Sequence, residues 1–122
     1  MTKNFKLDEF LCKSGAPMPD EVFSNIIKLA NQLQILRDYI GRPITINSAY
    51  RSPEYNATIP NASKYSQHQY GKAADIVVES LKPAEVKAII EDLIEMGLML
   101  QGGLSAYDTF THYDIRKKRA RW

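Results

Sequence analysis

Six apolar side chains recur at alternating steps of four and three residues, and this spacing constrains the fold more than any other feature of the chain. A helix turns once in about 3.6 residues, so side chains at this spacing form one stripe on one helix face. Asp20 and Glu21 suit the positive N-terminal end of such a helix, and Gly41 and Pro43 end it. A core-facing helix is favoured over a coiled coil, because the stripe covers only about three heptads without ordered flanking charges. The stripe comprises Val22, Ile26, Leu29, Leu33, Leu36 and Ile40.

Three shorter segments predict β-strands. Ile44–Ser48 alternates apolar and polar residues, Ala73–Val78 is almost wholly apolar, and residues 111–116 follow a turn near Gly102-Gly103. A second helix is predicted from about residue 83 to residue 96, with Gly97 as its stop. These elements predict an α+β fold in which a small, mostly antiparallel sheet packs against two main helices, with residues 1–122 as a single domain.

Length, composition and charge restrict the class of protein. The 122 residues are 44% hydrophobic and 25% charged, which is typical of a globular domain. No apolar run approaches the roughly 20 residues of a membrane helix, and Cys12 has no cysteine partner. Residues 116–121 hold five of the 16 basic residues, leaving 11 basic against 14 acidic residues elsewhere. Because the positive charge is not spread over the body, we expect no nucleic-acid partner. We also expect a monomer without a membrane partner.

Both histidines of the chain occur near carboxylates in a way that indicates a metal site. The strand period of two places His112, Asp114 and Arg116 on one face of the last strand. His68 precedes Asp75, which lies inside the apolar segment Ala73–Val78. A buried acid is costly unless it is paired or bound to a metal, and two imidazoles with a carboxylate are a common zinc set.

Three segments together resemble the M15 zinc peptidases, which are D-alanyl-D-alanine carboxypeptidases and related peptidoglycan endopeptidases. The first is Ser66-x-His68-x-x-Gly71-x-Ala73-x-Asp75-Ile76, and the second is the strand and arginine turn from Pro43 through Arg51 to Pro53. The third runs from Gly102-Gly103-Leu104 through Phe110-x-His112-x-Asp114-x-Arg116 to the terminal Ala120-Arg121-Trp122. The resemblance covers roughly residues 5–122 and is closest to a small branch that consists of the C-terminal domain only. It implies a fold of the hedgehog and DD-peptidase type.

The resemblance also implies roles for individual residues. A zinc ion would be bound by His68, Asp75 and His112 and would keep one position open for water, as catalytic zinc sites do. Arg51 would lie across the cleft, bind the substrate and stabilise the oxyanion that develops on its carbonyl group. Ser66 would bind a ligand or the substrate backbone, and ordering the turn before His68 is an equally good role for it.

The general base is the point at which the sequence departs from the family pattern. Several branches carry a glutamate three residues before the last zinc histidine, and Thr109 stands there in this chain. Asp114 is therefore predicted to be the base, with Asp108 and Glu79 as weaker alternatives. The rival role for Asp114 is that of a partner which orients a zinc ligand or pairs with Arg116.

The sequence therefore predicts a zinc metallopeptidase that hydrolyses peptidoglycan stem peptides, as a carboxypeptidase or an endopeptidase. The alternative is a zinc-binding module of the same fold without catalysis. A non-haem iron site is disfavoured, because His68 precedes the His112-x-Asp114 pair instead of following it. The first residues lack the apolar stretch of a secretion signal, so the expected location is cytoplasmic, and a phage or prophage enzyme released to the cell wall by a partner pore would fit.

Overall fold

A five-stranded sheet organises the molecule. The computed structural model describes residues 1–122. The strands are β1 (Ile44–Ser48), β2 (Ala73–Val78), β3 (Gly103–Ala106), β4 (Thr111–Asp114) and β5 (Ala120–Arg121), in the spatial order β1-β2-β4-β3-β5. Neighbouring strands are antiparallel except for β3 and β5, which are parallel. The sheet is therefore mixed but mostly antiparallel, and the predicted α+β class is confirmed.

The helices are α1 (Asp20–Ile40), α2 (Pro53–Asn56) and α3 (Pro83–Glu95). Five of the six predicted stripe residues of α1 are buried, and Ile40 is partly buried against the same core. The helix ends at Gly41, which has a φ of 71° and donates its N–H to the carbonyl of Arg37. The left-handed conformation of Gly41 explains the stop, because residues with a side chain rarely adopt it. None of the helices is long and apolar enough to cross a membrane.

The core contains 21 buried residues contributed by both long helices, the sheet and the first segment of the chain. Val86, Ile90 and Leu93 form the buried face of α3, and Tyr113 of β4 is fully buried. The Tyr113 hydroxyl donates to the carbonyl of Leu100 at 2.7 Å, so its polar atom is satisfied inside the core.

The connection between β1 and β2 carries several of the predicted site residues. It contains α2 and a 3-10 helix over Gln67–Tyr70 that ends at Gly71. Gly71 has a φ of 70°, and a Cβ atom there would lie 2.7 Å from Cγ1 of Val22 on α1. Only glycine fits this crossing of α1, so the 3-10 helix is held close to the edge where β2 begins.

The last predicted strand is shorter than the sequence indicated. β4 ends at Asp114 instead of residue 116. The Asp114 carboxylate accepts the backbone N–H of Arg116 at 3.1 Å, and this turn removes Arg116 from the strand. The strand period of two had predicted that Arg116 shares one strand face with His112 and Asp114. This prediction is wrong, because Arg116 lies beyond the end of β4.

Candidate metal centre

Three chain segments bring His68, Asp75 and His112 together. Asp75 on β2 lies directly opposite His112 on β4 in the antiparallel register. His68 arrives from the 3-10 helix before β2. All three residues are buried, and one ligand atom from each lies within 4.8 Å of the other two. The structure thus brings together the three residues that were predicted to bind zinc.

Hydrogen bonds define which nitrogen of each imidazole carries the proton. His68 Nδ1 lies 2.7 Å from the carbonyl oxygen of Ala49, which can only accept, so Nδ1 carries the proton. His112 Nε2 lies 2.7 Å from Oδ2 of Asp114 and Nδ1 lies 3.1 Å from Oδ1 of Asp75, and the shorter contact favours the tautomer in which Nε2 donates to Asp114. In the neutral rings, His68 Nε2 and His112 Nδ1 are therefore lone-pair donors.

Both lone-pair nitrogens face one carboxylate oxygen. Oδ1 of Asp75 lies 3.2 Å from His68 Nε2 and 3.1 Å from His112 Nδ1. Three electron-pair donors at this separation attract a cation. Tetrahedral zinc with bonds of 2.0–2.1 Å would separate its ligand atoms by about 3.3 Å. The donor set, the spacing and the fixed tautomers therefore all fit zinc.

The electrostatics of the cluster favour positive charge beside the carboxylates. Burial acts to raise the pKa of Asp75, but contacts with His112 and His68 outweigh it and hold the pKa well below its usual range. Burial acts to lower the pKa of His112, yet Asp114 and Asp75 raise it overall. Asp75 is consequently ionised at neutral pH, as a metal ligand must be.

Asp114 lies behind His112 and has no exposed side-chain surface. Its Oδ2 contacts His112 and Nη2 of Arg116, while its Oδ1 accepts from Nε of Arg116 and from the backbone N–H of Gly103. Burial acts to raise the pKa of Asp114, but the bonds from His112 and Arg116 hold it well below its usual range. This geometry favours the rival role considered for Asp114, which is to orient His112.

Arg51 and Ser66 both lie at the site. Nη2 of Arg51 is 3.2 Å from Oδ2 of Asp75, and its Nε donates to Ser48 Oγ at 3.1 Å. Ser66 Oγ accepts the backbone N–H of His68 at 3.2 Å and caps the 3-10 helix. This contact is the turn-ordering role that the sequence left open for Ser66.

A cavity of about 590 Å³ opens onto the three candidate ligands. Its only side-chain carboxylate is that of Asp75, because Asp114, Asp108 and Glu79 do not line it. An aromatic wall of Tyr107, Phe110 and Trp122 is part of the lining. The lining residues that are charged or are candidate ligands are Arg51, His68, Asp75, His112 and Arg116.

The chain also matches a known protein family. A family model described as Peptidase M15 matches residues 3–114, which include all three candidate ligands. The chain belongs to the M15 peptidase family. No curated protein matched the sequence. The predicted family membership is therefore confirmed.

Several parts of this M15 site were not found by sequence reasoning. The carbonyl of Ala49 orients His68 through a backbone atom, which carries no residue-type signal. Arg116 and Trp122 lie beyond the residues that match the family model, and their place in the cavity depends on the turn after β4. The Gly102-Gly103 pair was visible in the sequence and was interpreted as a turn. The contact of Gly103 with Asp114 follows only from the strand register.

Proposed function

We propose that this M15 protein is a zinc metallopeptidase that hydrolyses peptidoglycan stem peptides, as a carboxypeptidase or an endopeptidase. The observation that carries the proposal is the convergence of three lone-pair donors in an open cavity. Three protein ligands with room for a fourth, exchangeable one are typical of catalytic zinc, whereas structural zinc sites are closed by four protein ligands.

The residues around the candidate centre have separate roles in the proposed reaction. When bound, zinc would lower the pKa of a water molecule and polarise the peptide carbonyl group. Ala49 and Asp114 hold the two histidines in the ligating tautomer. Arg51 is fixed by Ser48 and Asp75 at the cavity wall, where its positive charge can stabilise a developing oxyanion.

The substrate assignment rests on the family and on the shape of the site. M15 is a peptidase family, so a peptide is the expected substrate class. The resemblance of the three sequence segments to D-alanyl-D-alanine carboxypeptidases and peptidoglycan endopeptidases narrows the proposal to stem peptides. A cavity of about 590 Å³ falls within the usual size range of small-ligand pockets, and a few residues of such a peptide would fit it.

One observation favours a second candidate, a zinc-binding module without catalysis. Asp75 has the only side-chain carboxylate in the cavity, and it is a candidate ligand. Proton transfer by a positioned side chain contributes about 10²–10⁴-fold to catalysis. A cavity without a free carboxylate would bind the metal and a peptide while hydrolysing the peptide slowly.

Metal analysis combined with digestion separates the two candidates. Protein purified without chelator should contain close to one zinc per chain, and His68→Ala should lose most of it. The same protein should release defined fragments from purified peptidoglycan, read by mass spectrometry. Zinc without fragments would identify the non-catalytic module. Full zinc content after both His68→Ala and His112→Ala would refute the metal centre itself.

A further inference from the structure

Arg116 lies at the cavity wall with part of its guanidinium uncommitted. Its Nε and Nη2 donate to Asp114 at 2.9 and 2.7 Å. Its third nitrogen, Nη1, makes no hydrogen bond with the protein, and no buried side-chain nitrogen or oxygen lacks a partner, so Nη1 is open to the cavity or solvent. A guanidinium presents its donors in a fixed fork, so the two bonds to Asp114 also fix the direction of Nη1.

Trp122 holds the same guanidinium from another side. The Arg116 Cζ atom lies 5.2 Å from the centre of the Trp122 ring, within the range of a cation–π contact. The Trp122 Nε1 donates to the Tyr107 hydroxyl at 2.6 Å, which anchors the ring. Arg116 is thus held in place before any ligand arrives, and a pre-organised donor loses little freedom on binding.

No acidic side chain of the cavity lining is free to pair with Nη1 of Arg116. The lining contains two guanidinium groups, those of Arg51 and Arg116, and one carboxylate, that of Asp75. Asp75 is already engaged by Arg51 and by the two histidines. Asp114, the ion-pair partner of Arg116, lies outside the cavity. Two cationic side chains and one anionic side chain thus line the cavity, and a bound metal would add positive charge.

We propose that Arg116 is a specificity-determining residue that binds a carboxylate of the peptide substrate through Nη1. The inference rests on the proposed peptidase function and names the feature of the peptide that the site selects. Nη1 has two N–H donors and shares the positive charge of the guanidinium, so a carboxylate oxygen accepts a stronger, charge-assisted hydrogen bond from it than a neutral carbonyl oxygen does. The selected peptide accordingly carries a free carboxylate within reach of the scissile bond.

The competing explanation is that Arg116 serves only as the counterion of Asp114. That role would affect His112 and the metal, and therefore every substrate equally. A role in substrate recognition affects only peptides that carry the recognised carboxylate. The ratio of the affinities for a peptide and for its amidated form consequently separates the two roles.

The test uses zinc-loaded protein and stem peptides in which each carboxylate in turn is converted to a carboxamide. Equilibrium binding is measured by calorimetry and hydrolysis by kcat/KM, for the unaltered protein, for Arg116→Gln and for Lys117→Gln. Lys117 is exposed and lies outside the cavity, so Lys117→Gln removes the same charge from the neighbouring position.

We expect one amidation to weaken binding to the unaltered protein by about tenfold to a hundredfold, the range for a hydrogen bond to a charged group. Arg116→Gln should bring this ratio close to one, and Lys117→Gln should leave it unchanged. Trp122→Leu, which keeps the Asp114 ion pair, should reduce the ratio partially and serves if Arg116→Gln does not fold.

Three results would overturn the proposal. The first is that the unaltered protein binds every amidated peptide as well as the acid. The second is that Arg116→Gln weakens binding of acid and amide by the same factor, and the third is that Lys117→Gln also abolishes the difference between them. Selective binding of the acid without hydrolysis would refute the peptidase and still support Arg116 as the carboxylate site.

Discussion

At the scale of single residues, the ligating ability of each histidine depends on an atom that does not face the metal. The Ala49 carbonyl holds the proton on Nδ1 of His68, and Asp114 holds it on Nε2 of His112. His68 would therefore ligate through Nε2 and His112 through Nδ1. The two outer partners differ in one respect, because Ala49 contributes a backbone atom and only Asp114 can be altered by substitution.

The first prediction concerns Asp114→Asn. The amide keeps the shape of the side chain but turns an N–H₂ group toward donors from His112, Arg116 or Gly103. We expect the zinc affinity to fall by about 10–100-fold, as for other partners of metal-bound histidines. Competition with a chelator of known affinity measures the change. Unchanged zinc affinity with turnover lowered by about 10²–10⁴-fold would instead support Asp114 as the general base.

The second prediction concerns Arg51→Ala. Removing the guanidinium should lower turnover of a stem peptide by about 10²–10³-fold, the range for losing one oxyanion donor. The zinc stoichiometry should stay at one, because arginine is not a ligand. Arg42→Ala is the control, since Arg42 is exposed and outside the cavity. Near-normal turnover of Arg51→Ala would remove Arg51 from the reaction.

Sequence reasoning reached the candidate ligands but not their surroundings. The residue types alone reveal two histidines and an acid inside an apolar strand. The family resemblance then assigned these three residues as zinc ligands. The sequence did not reveal that Asp114 lies behind His112. A strand period of two predicts which face of the sheet a side chain is on, but it does not predict how deeply that side chain is buried. The general-base prediction for Asp114 is untested, and its burial argues for the orienting role.

At the scale of elements, the pairing of β3 with β4 leaves room for the Asp114 carboxylate. Gly103 faces Asp114 in the antiparallel register, and its N–H donates to Oδ1 at 2.8 Å. A Cβ atom on Gly103 would lie 2.6 Å from Cγ and 2.7 Å from Oδ1 of Asp114. Two backbones and one carboxylate thus occupy a space in which no further carbon fits.

The third prediction is therefore a loss of stability and zinc affinity in Gly103→Ala. Overpacking at a buried site should cost about 1–3 kcal/mol in the free energy of unfolding. Denaturant titration measures the stability, and chelator competition measures the affinity. The cost should shrink in an Asp114→Ala background, because the clashing carboxylate is then absent. Equal cost in both backgrounds would place the clash elsewhere.

A second element contact joins β5 to α3 through a surface ion pair. Arg121 donates from Nε and Nη2 to the two carboxylate oxygens of Glu91 at 2.7 and 2.8 Å. These bonds outweigh partial burial and lower the pKa of Glu91 from its usual 4.5. The pair fastens the short strand that precedes Trp122 to the helix.

The fourth prediction is the pH dependence of that pair. A lowered folded-state pKa means that the unfolded chain binds more protons, so the stability is present near neutral pH and is lost as pH falls below about 4.5. Glu91→Gln should cost about 0.5–1 kcal/mol near neutral pH, and this cost should vanish in acid. Urea titrations at several pH values measure it. Glu95→Gln, one turn further along α3 and without an ion pair, should show no such loss.

The sequence predicted the long elements and the short strand β4, and it missed β3 and β5. α1, β1, β2 and α3 were found because an apolar stripe or a buried run extends over five or more residues. β3 begins at a glycine and has four residues, and β5 has two within a basic segment. Strands this short form through pairing with another strand, β4 for β3 and β3 for β5, and the local sequence pattern does not indicate that partner.

At the scale of the whole molecule, the candidate centre links segments that are far apart in the chain. His68 and Asp75 come from the middle of the chain and His112 from near its end, and the sheet brings them together. A metal that binds all three ligands binds only the folded state, since the unfolded chain does not hold them in place. Zinc affinity must therefore appear as stability of the entire fold.

The last prediction is that zinc raises the thermal midpoint of the protein. At free zinc 100-fold above Kd, the fold gains about 2.7 kcal/mol. For 122 residues with an unfolding entropy of about 2.1 cal/mol/K per residue, this gain raises the midpoint by about 10 °C. Calorimetry of chelator-treated protein with and without added zinc measures the shift. His68→Ala should lose it, and magnesium should not reproduce it, because Mg²⁺ prefers six oxygen ligands. A shift of equal size in His68→Ala would mean that the stabilising zinc binds elsewhere on the chain.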